Sequence, residues 1–171
     1  LKTIALFSFL AFFLVGYYFF HLQRITQIVA VVFLSITLLY TLSFFPNKKN
    51  ARNWAGVKIY IVALCWAGVT LGLPILDSGI PITSDIYLKC IQRFILIFVL
   101  ILIFEIIDLA NDDPHLKTVP QQIGVKRTKI VGLLLLVPFY FLEFFKSNFD
   151  KNQLIVNFIL VLMISLFLSF A

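Results

Sequence analysis

The sequence predicts an all-α fold, a polytopic bundle of transmembrane helices, and three observations carry that expectation. Of the 171 residues, 61% are hydrophobic and 13% charged, against the roughly 45–50% apolar usage of soluble domains. The apolar residues gather in runs near the ~20 residues that a bilayer core demands, and the mean hydropathy is +1.03. The runs lack alternation of period two. Helices, which satisfy their own backbone in lipid, are therefore expected rather than barrel strands.

Six spans follow from the runs, at 3 to 20, 26 to 45, 58 to 76, 86 to 108, 129 to 146 and 153 to 170. The first, behind Lys2, reads as a span and not a signal peptide, because no small-residue cleavage site follows and five more apolar runs do. Tyr17 and Tyr18, with Trp54 further on, suit interfacial anchors. The third span carries Ala63, Ala67 and the GxxxG stretch Gly68 to Gly72, a small-residue face for close helix packing. Pro74 and Pro138 are expected to kink or end their helices. Gln92 and Arg93 lie inside the fourth span, where snorkelling or pairing within the bundle is the expectation. Glu143 and Lys146 close the fifth as an interfacial i, i+3 pair. Cys65 and Cys90 sit in apolar runs with no CxxC or Cys/His spacing, so buried free thiols are expected rather than a disulfide or zinc site. No repeat or long linker divides the chain, and residues 1 to 171 read as a single transmembrane helical domain.

Charge orients the bundle. Lys2, Lys48, Lys49, Arg52, Lys58, Lys117, Lys126, Arg127 and Lys129 place nine basic residues on one side, against four on the other, Arg24, Lys89, Lys146 and Lys151. The positive-inside rule makes the nine-charge side cytoplasmic, in a multi-pass protein of the cell inner membrane. A net charge of +6 is split among membrane loops with no nucleic-acid motif, which points to the lipid bilayer and phosphorylated small molecules as partners and excludes nucleic acid.

The chemistry concentrates in "FEIIDLANDDPHLKTVPQQIGVKRTK", residues 104 to 129. Continued as a helix through residue 112, the fourth span brings Glu105, Asp108 and Asp112 within about 60° of arc. Asp113 points off that face. Like charges so close repel unless a cation sits among them, and Mg²⁺ typically takes one or two carboxylates plus water and substrate phosphates. Asp108 and Asp112 of "DLAND", with Glu105, are the expected metal ligands. Lys117, Lys126 and Arg127 follow as a basic wall for a diphosphate, whereas His115 reads as a solvated loop histidine. Between them "TVPQQIG" predicts a short helix, with Thr118 as N-cap, Gln121 as its capping-box partner, Pro120 in the first turn and Gly124 beyond the end.

This stretch resembles the second aspartate motif of the UbiA superfamily of intramembrane prenyltransferases: Asp108, Asp112, Lys117, Thr118, Pro120 and Gly124 match it in order. Upstream, "LLYTLSFFPNKKNARNWAGVKIYIVALCWAGVTLGLP" is similar to that family's span, basic loop and following span, with Tyr40, Lys48, Arg52, Lys58 and Trp66 in the matching places. Ile107 and Leu116 stand where the family often has Arg and Gly. The resemblance implies a nine-helix fold of which these spans are the third to eighth, so a fragment lacking the first two spans and the last is expected. It implies Mg²⁺-dependent transfer of an isoprenyl group from an isoprenyl diphosphate to an aromatic or other lipophilic acceptor. Asp108 and Asp112 would be catalytic, and Lys117, Lys126, Arg127, Arg52, Lys58 and Tyr40 would bind substrate. The alternative is a relative that keeps the fold without the reaction, or a small transporter.

Overall fold

A computed structural model of the chain describes residues 2–41, 56–110 and 117–171. Among these residues the chain is helical throughout, with no strand. Helix α1, Lys2–Phe19, turns tightly into α2, Arg24–Thr41. Helix α3, Val57–Ala67, runs through a π-helical turn at Gly68–Gly72 into α4, Leu73–Asp77, so that the three pieces make one rod. Helix α5, Ser84–Ile107, ends in a 3₁₀ turn at Asp108–Ala110. The short α6, Val119–Ile123, leads into α7, Val125–Phe141, whose last turn tightens to 3₁₀ at Leu142–Phe145 before α8, Lys151–Phe170. Five of these segments are long and apolar enough to cross a bilayer. The sixth expected span is the apolar helix Thr3–Phe19, at the short end of what a crossing needs.

The helices pack around α5. One face of it meets α7 and α8 through Val99, Ile103, Ile106, Leu136, Ile164 and Leu168. Its other face meets α3 through Ile59, Ala63, Phe98 and Leu102. Outside this core the large apolar side chains face outward, among them Phe7, Phe12, Leu134, Phe141, Phe158 and Phe167. In water such a surface would aggregate; against lipid tails it is solvated. Lipid is as apolar as the core, so close packing, not the hydrophobic effect, holds the helices together.

Small residues provide that packing. Ala63 and Ala67 are buried, and the ring of Phe33 on α2 lies so close to Gly68 that a Cβ there would stand 2.0 Å from its Cζ. Gly72 has open space where its Cβ would be, so one glycine of the expected GxxxG pair makes a helix contact and the other does not. A second such contact joins α7 to α8, where a Cβ on Gly132 would lie 2.6 Å from Leu168 Cδ2. Cys65 and Cys90 are free and half-buried.

The connections gather at two ends. At one, the Gln23 backbone N–H donates to Asp77 Oδ1 at 2.9 Å, and Asp85 accepts from the N–H groups of Ser147 and Asn148 at 2.8 and 3.1 Å. At the other, α3, α5 and α6 meet, and Lys129 Nζ donates to the Ser169 carbonyl at 2.9 Å. The turn from α6 to α7 depends on Gly124, whose φ of 83° and ψ of 153° belong to a region that glycine alone occupies readily.

Candidate functional site

Lys58, the single charge of α3, lies in its first turn, and Glu105 lies near the end of α5 behind the apolar run from Phe94 to Phe104. A lone charge at such a position is costly, and the two remove the cost by pairing. Lys58 Nζ stands 2.9 Å from Glu105 Oε1, with the carboxylate side chain only 6% exposed. Glu105 Oε2 accepts the backbone N–H of Val119 at 3.0 Å, a donor at the start of α6 that has no partner within its own helix. One carboxylate therefore ties α3, α5 and α6 together.

The expected α6 is present. Its capping box joins Thr118 and Gln121, and the Thr118 N–H donates to Gln121 Oε1 at 3.0 Å. The residue before it, Lys117, has φ of 48°, a left-handed conformation that costs a non-glycine residue about 1–2 kcal/mol. Gln122 Nε2 donates to the Lys117 carbonyl and holds the turn.

Beside the Lys58–Glu105 pair opens a cavity of about 420 Å³, whose lining includes Tyr40, Lys58, Glu105 and Asp108, with Val62, Ile101 and Phe104 as apolar wall. Tyr40, Lys58 and Asp108 come from three separate segments, and the fold brings them to one opening. Asp108 is exposed, and its carboxylate forms no ion pair or hydrogen bond with another described residue. Lys117, Lys126 and Arg127 are exposed at the same end, on or beside α6 and the first turn of α7, and stand outside the cavity wall. Arg52, Asp112, Asp113 and His115 lie outside the described residues.

One expectation needs correction. The α-helical geometry of α5 stops at Ile107, and Asp108 opens a 3₁₀ turn, so an unbroken α-helix through residue 112 does not set the direction of its carboxylate. Glu105 Oε2 accepts the Val119 N–H, and Oε1 is ion-paired with Lys58 but accepts no hydrogen bond. Among the described residues no three His, Cys, Asp or Glu side chains cluster as a metal site would.

The opposite end holds a second polar centre. Glu143 is 1% exposed and Lys146 7%. The pair expected at an interface is thus formed inside the bundle, because α5 and α8 close over it. Glu143 Oε2 accepts from Lys146 Nζ, from Asn157 Nδ2 at 2.8 Å and from Gln92 Nε2 at 3.2 Å. Gln92 also donates to the Phe139 carbonyl at 2.9 Å, where α7 approaches its 3₁₀ turn beyond Pro138. The expected pairing of Gln92 within the bundle is realised here. Asn157, absent from the expectations, accepts from Gln153 Nε2 at 3.2 Å. Its signal in the sequence was a carboxamide inside an apolar span, which asks for a polar partner at matching depth.

Comparison with protein-family models, with curated proteins and with solved structures gives no match to this chain.

Proposed function

We propose that the protein is a UbiA-like membrane prenyltransferase that moves an isoprenyl group from an isoprenyl diphosphate to an aromatic or other lipophilic acceptor. The supporting observation is the convergence of Tyr40, Lys58 and Asp108 on one cavity next to the "DLAND" stretch. In this reading the cavity faces the cytoplasm, at the end of the bundle richer in Lys and Arg.

The donor set suits a hard cation. Asp108 offers a carboxylate that no described residue occupies, and Asp112 would supply a second, which is the number Mg²⁺ typically takes from protein beside diphosphate oxygens and water. Bound Mg²⁺ would neutralise charge on the diphosphate as it departs. Lys58, oriented by its ion pair with Glu105, would offer ammonium N–H donors to the diphosphate, and Tyr40 shares the cavity lining. Glu105 acts here as a positioning residue behind the carboxylates that would hold the metal. Lys117, Lys126 and Arg127, with Arg52 from the preceding loop, would draw the diphosphate to the opening. Val62, Ile101 and Phe104 offer the prenyl chain an apolar wall and keep water from the reacting carbon.

Membranes containing the full-length protein should incorporate labelled prenyl diphosphate into a lipophilic product. Asp108→Asn and Asp112→Asn should each lower the rate by roughly 10²-fold, the scale of losing one electrostatic stabiliser. Lys117→Gly should leave the turn intact, since φ of 48° suits glycine, and should raise KM for the diphosphate. Incorporation indifferent to both Asp substitutions would overturn the reading in favour of a non-catalytic relative or a small transporter.

A further inference from the structure

Beyond the Lys58–Glu105 end, the bundle contains a second cavity, of about 200 Å³, beside the buried Glu143 centre. Its polar lining consists of Lys89, Arg93, Lys146, Gln92, Gln153 and Asn157. Three of these are cations and none is a carboxylate.

The neighbouring charges are already committed. Glu143 lies behind Lys146 and neutralises it. Asp85, one turn before Lys89, is engaged by the Ser147 and Asn148 N–H groups, and Asp150 accepts the Asn152 N–H at the start of α8. Asp85, Asp150 and Glu143 line an adjoining cavity that shares Lys89, Lys146 and Gln153 with this one, which leaves Arg93 as the cation that faces this cavity alone. The side chains of Lys89 and Arg93 make no hydrogen bond and no close ion pair with another described residue; Asp85, one turn back on the helix, offsets part of the Lys89 charge from a distance. The two cations stand four residues apart on one helix, where like charges repel. Arg93 and Lys89 are both exposed at the open side of the cavity, and Arg93 is nine residues into α5, about 13 Å along its axis at 1.5 Å per residue, a depth at which a guanidinium facing lipid is costly.

We propose that this cavity binds a phosphate-ester oxyanion, held by the guanidinium fork of Arg93 and the ammonium of Lys89. Arg matches a phosphate with paired N–H donors, and Lys adds a point charge. The volume is below the ~300–1,000 Å³ of drug-sized pockets and accommodates a headgroup phosphate rather than a nucleotide. Gln153 and Asn157 border the same space and offer further polar contacts, while Leu71, Leu96 and Leu160 form an apolar side along which a lipid tail can leave. The oxyanion comes either from a phospholipid headgroup or from free phosphate.

The test uses the full chain in neutral detergent and follows its thermal midpoint. One arm adds inorganic phosphate; the other adds phosphatidylglycerol, with phosphatidylcholine as reference. At least one anion should raise the midpoint, and Lys89→Gln with Arg93→Gln should increase the concentration for half effect at least tenfold. The charge-matched control Arg24→Gln with Lys151→Gln, both exposed, should respond as the wild type does. Phosphate activity assigns a free anion, and activity of phosphatidylglycerol alone assigns a headgroup. Should the double variant not fold, Gln153→Glu, which sets a carboxylate at the cavity wall, should produce the same tenfold loss. Equal responses of the cavity variant and wild type, equal loss in the control, or no effect of either anion overturns the proposal.

Discussion

Glu143 shows what a single buried charge does here. Its Oε2 gathers donors from α5, α8 and its own turn, so removing it leaves Lys146 charged and enclosed. Glu143→Ala should lower stability by about 3–5 kcal/mol, the cost of breaking one half of a buried pair. Replacing both partners, Glu143→Met with Lys146→Leu, should recover much of that loss. Unfolding in detergent measures both, and a single variant no less stable than the double one would refute the account. At this scale the sequence was legible for the i, i+3 pair and misplaced it at the interface, although both residues are buried. Spacing along one helix reveals neighbours on that helix, whereas enclosure comes from Gln92 and Asn157 on two others.

Between helices, contact depends on what each backbone leaves uncovered. Gly132 lets Leu168, which is fully buried, reach the surface of α7. Gly132→Ala would force a methyl into that space, and overpacking of this kind typically costs about 1–3 kcal/mol. Reducing Leu168 at the same time, Gly132→Ala with Leu168→Ala, should give less than the sum of the single effects, a coupling that a double-mutant cycle reads directly. Five of the expected spans, as helices long and apolar enough to cross a bilayer, and the α6 cap were readable because each is local: a run of apolar residues, or Thr118 with Gln121 three later. The end of α5 was not. Helical periodicity carries Asp108 onward in register, but the bond from Val119 to Glu105 is set by residues fourteen apart. The same limit hid which glycine of Gly68 and Gly72 packs, since Phe33 decides it from another helix.

Across the whole molecule, α5 supplies both halves of the core, and the elements before it have little of their own. In α2 only 6% of the apolar window is buried, and 22% in the rod from α3 to α4, against 39% in the stretch containing α5. Composition forecast an apolar exterior and helices throughout. Hydropathy follows this hierarchy only in part: it rises with burial over these three stretches, but α8 is more apolar than the stretch containing α7 and less buried, because packing partners and not composition decide which helix is enclosed.

Dependence of Lys58 on Glu105 has a temporal side. Synthesis delivers the ammonium on α3 some forty-seven residues before its carboxylate on α5. A nascent chain arrested just after α4 would hold an orphan cation at the bilayer edge and should be readily cut by added protease. Extending the arrested chain past Val119 should confer resistance, and Glu105→Gln should abolish that gain. Equal cleavage of the two arrested lengths would mean that assembly does not wait for this ion pair.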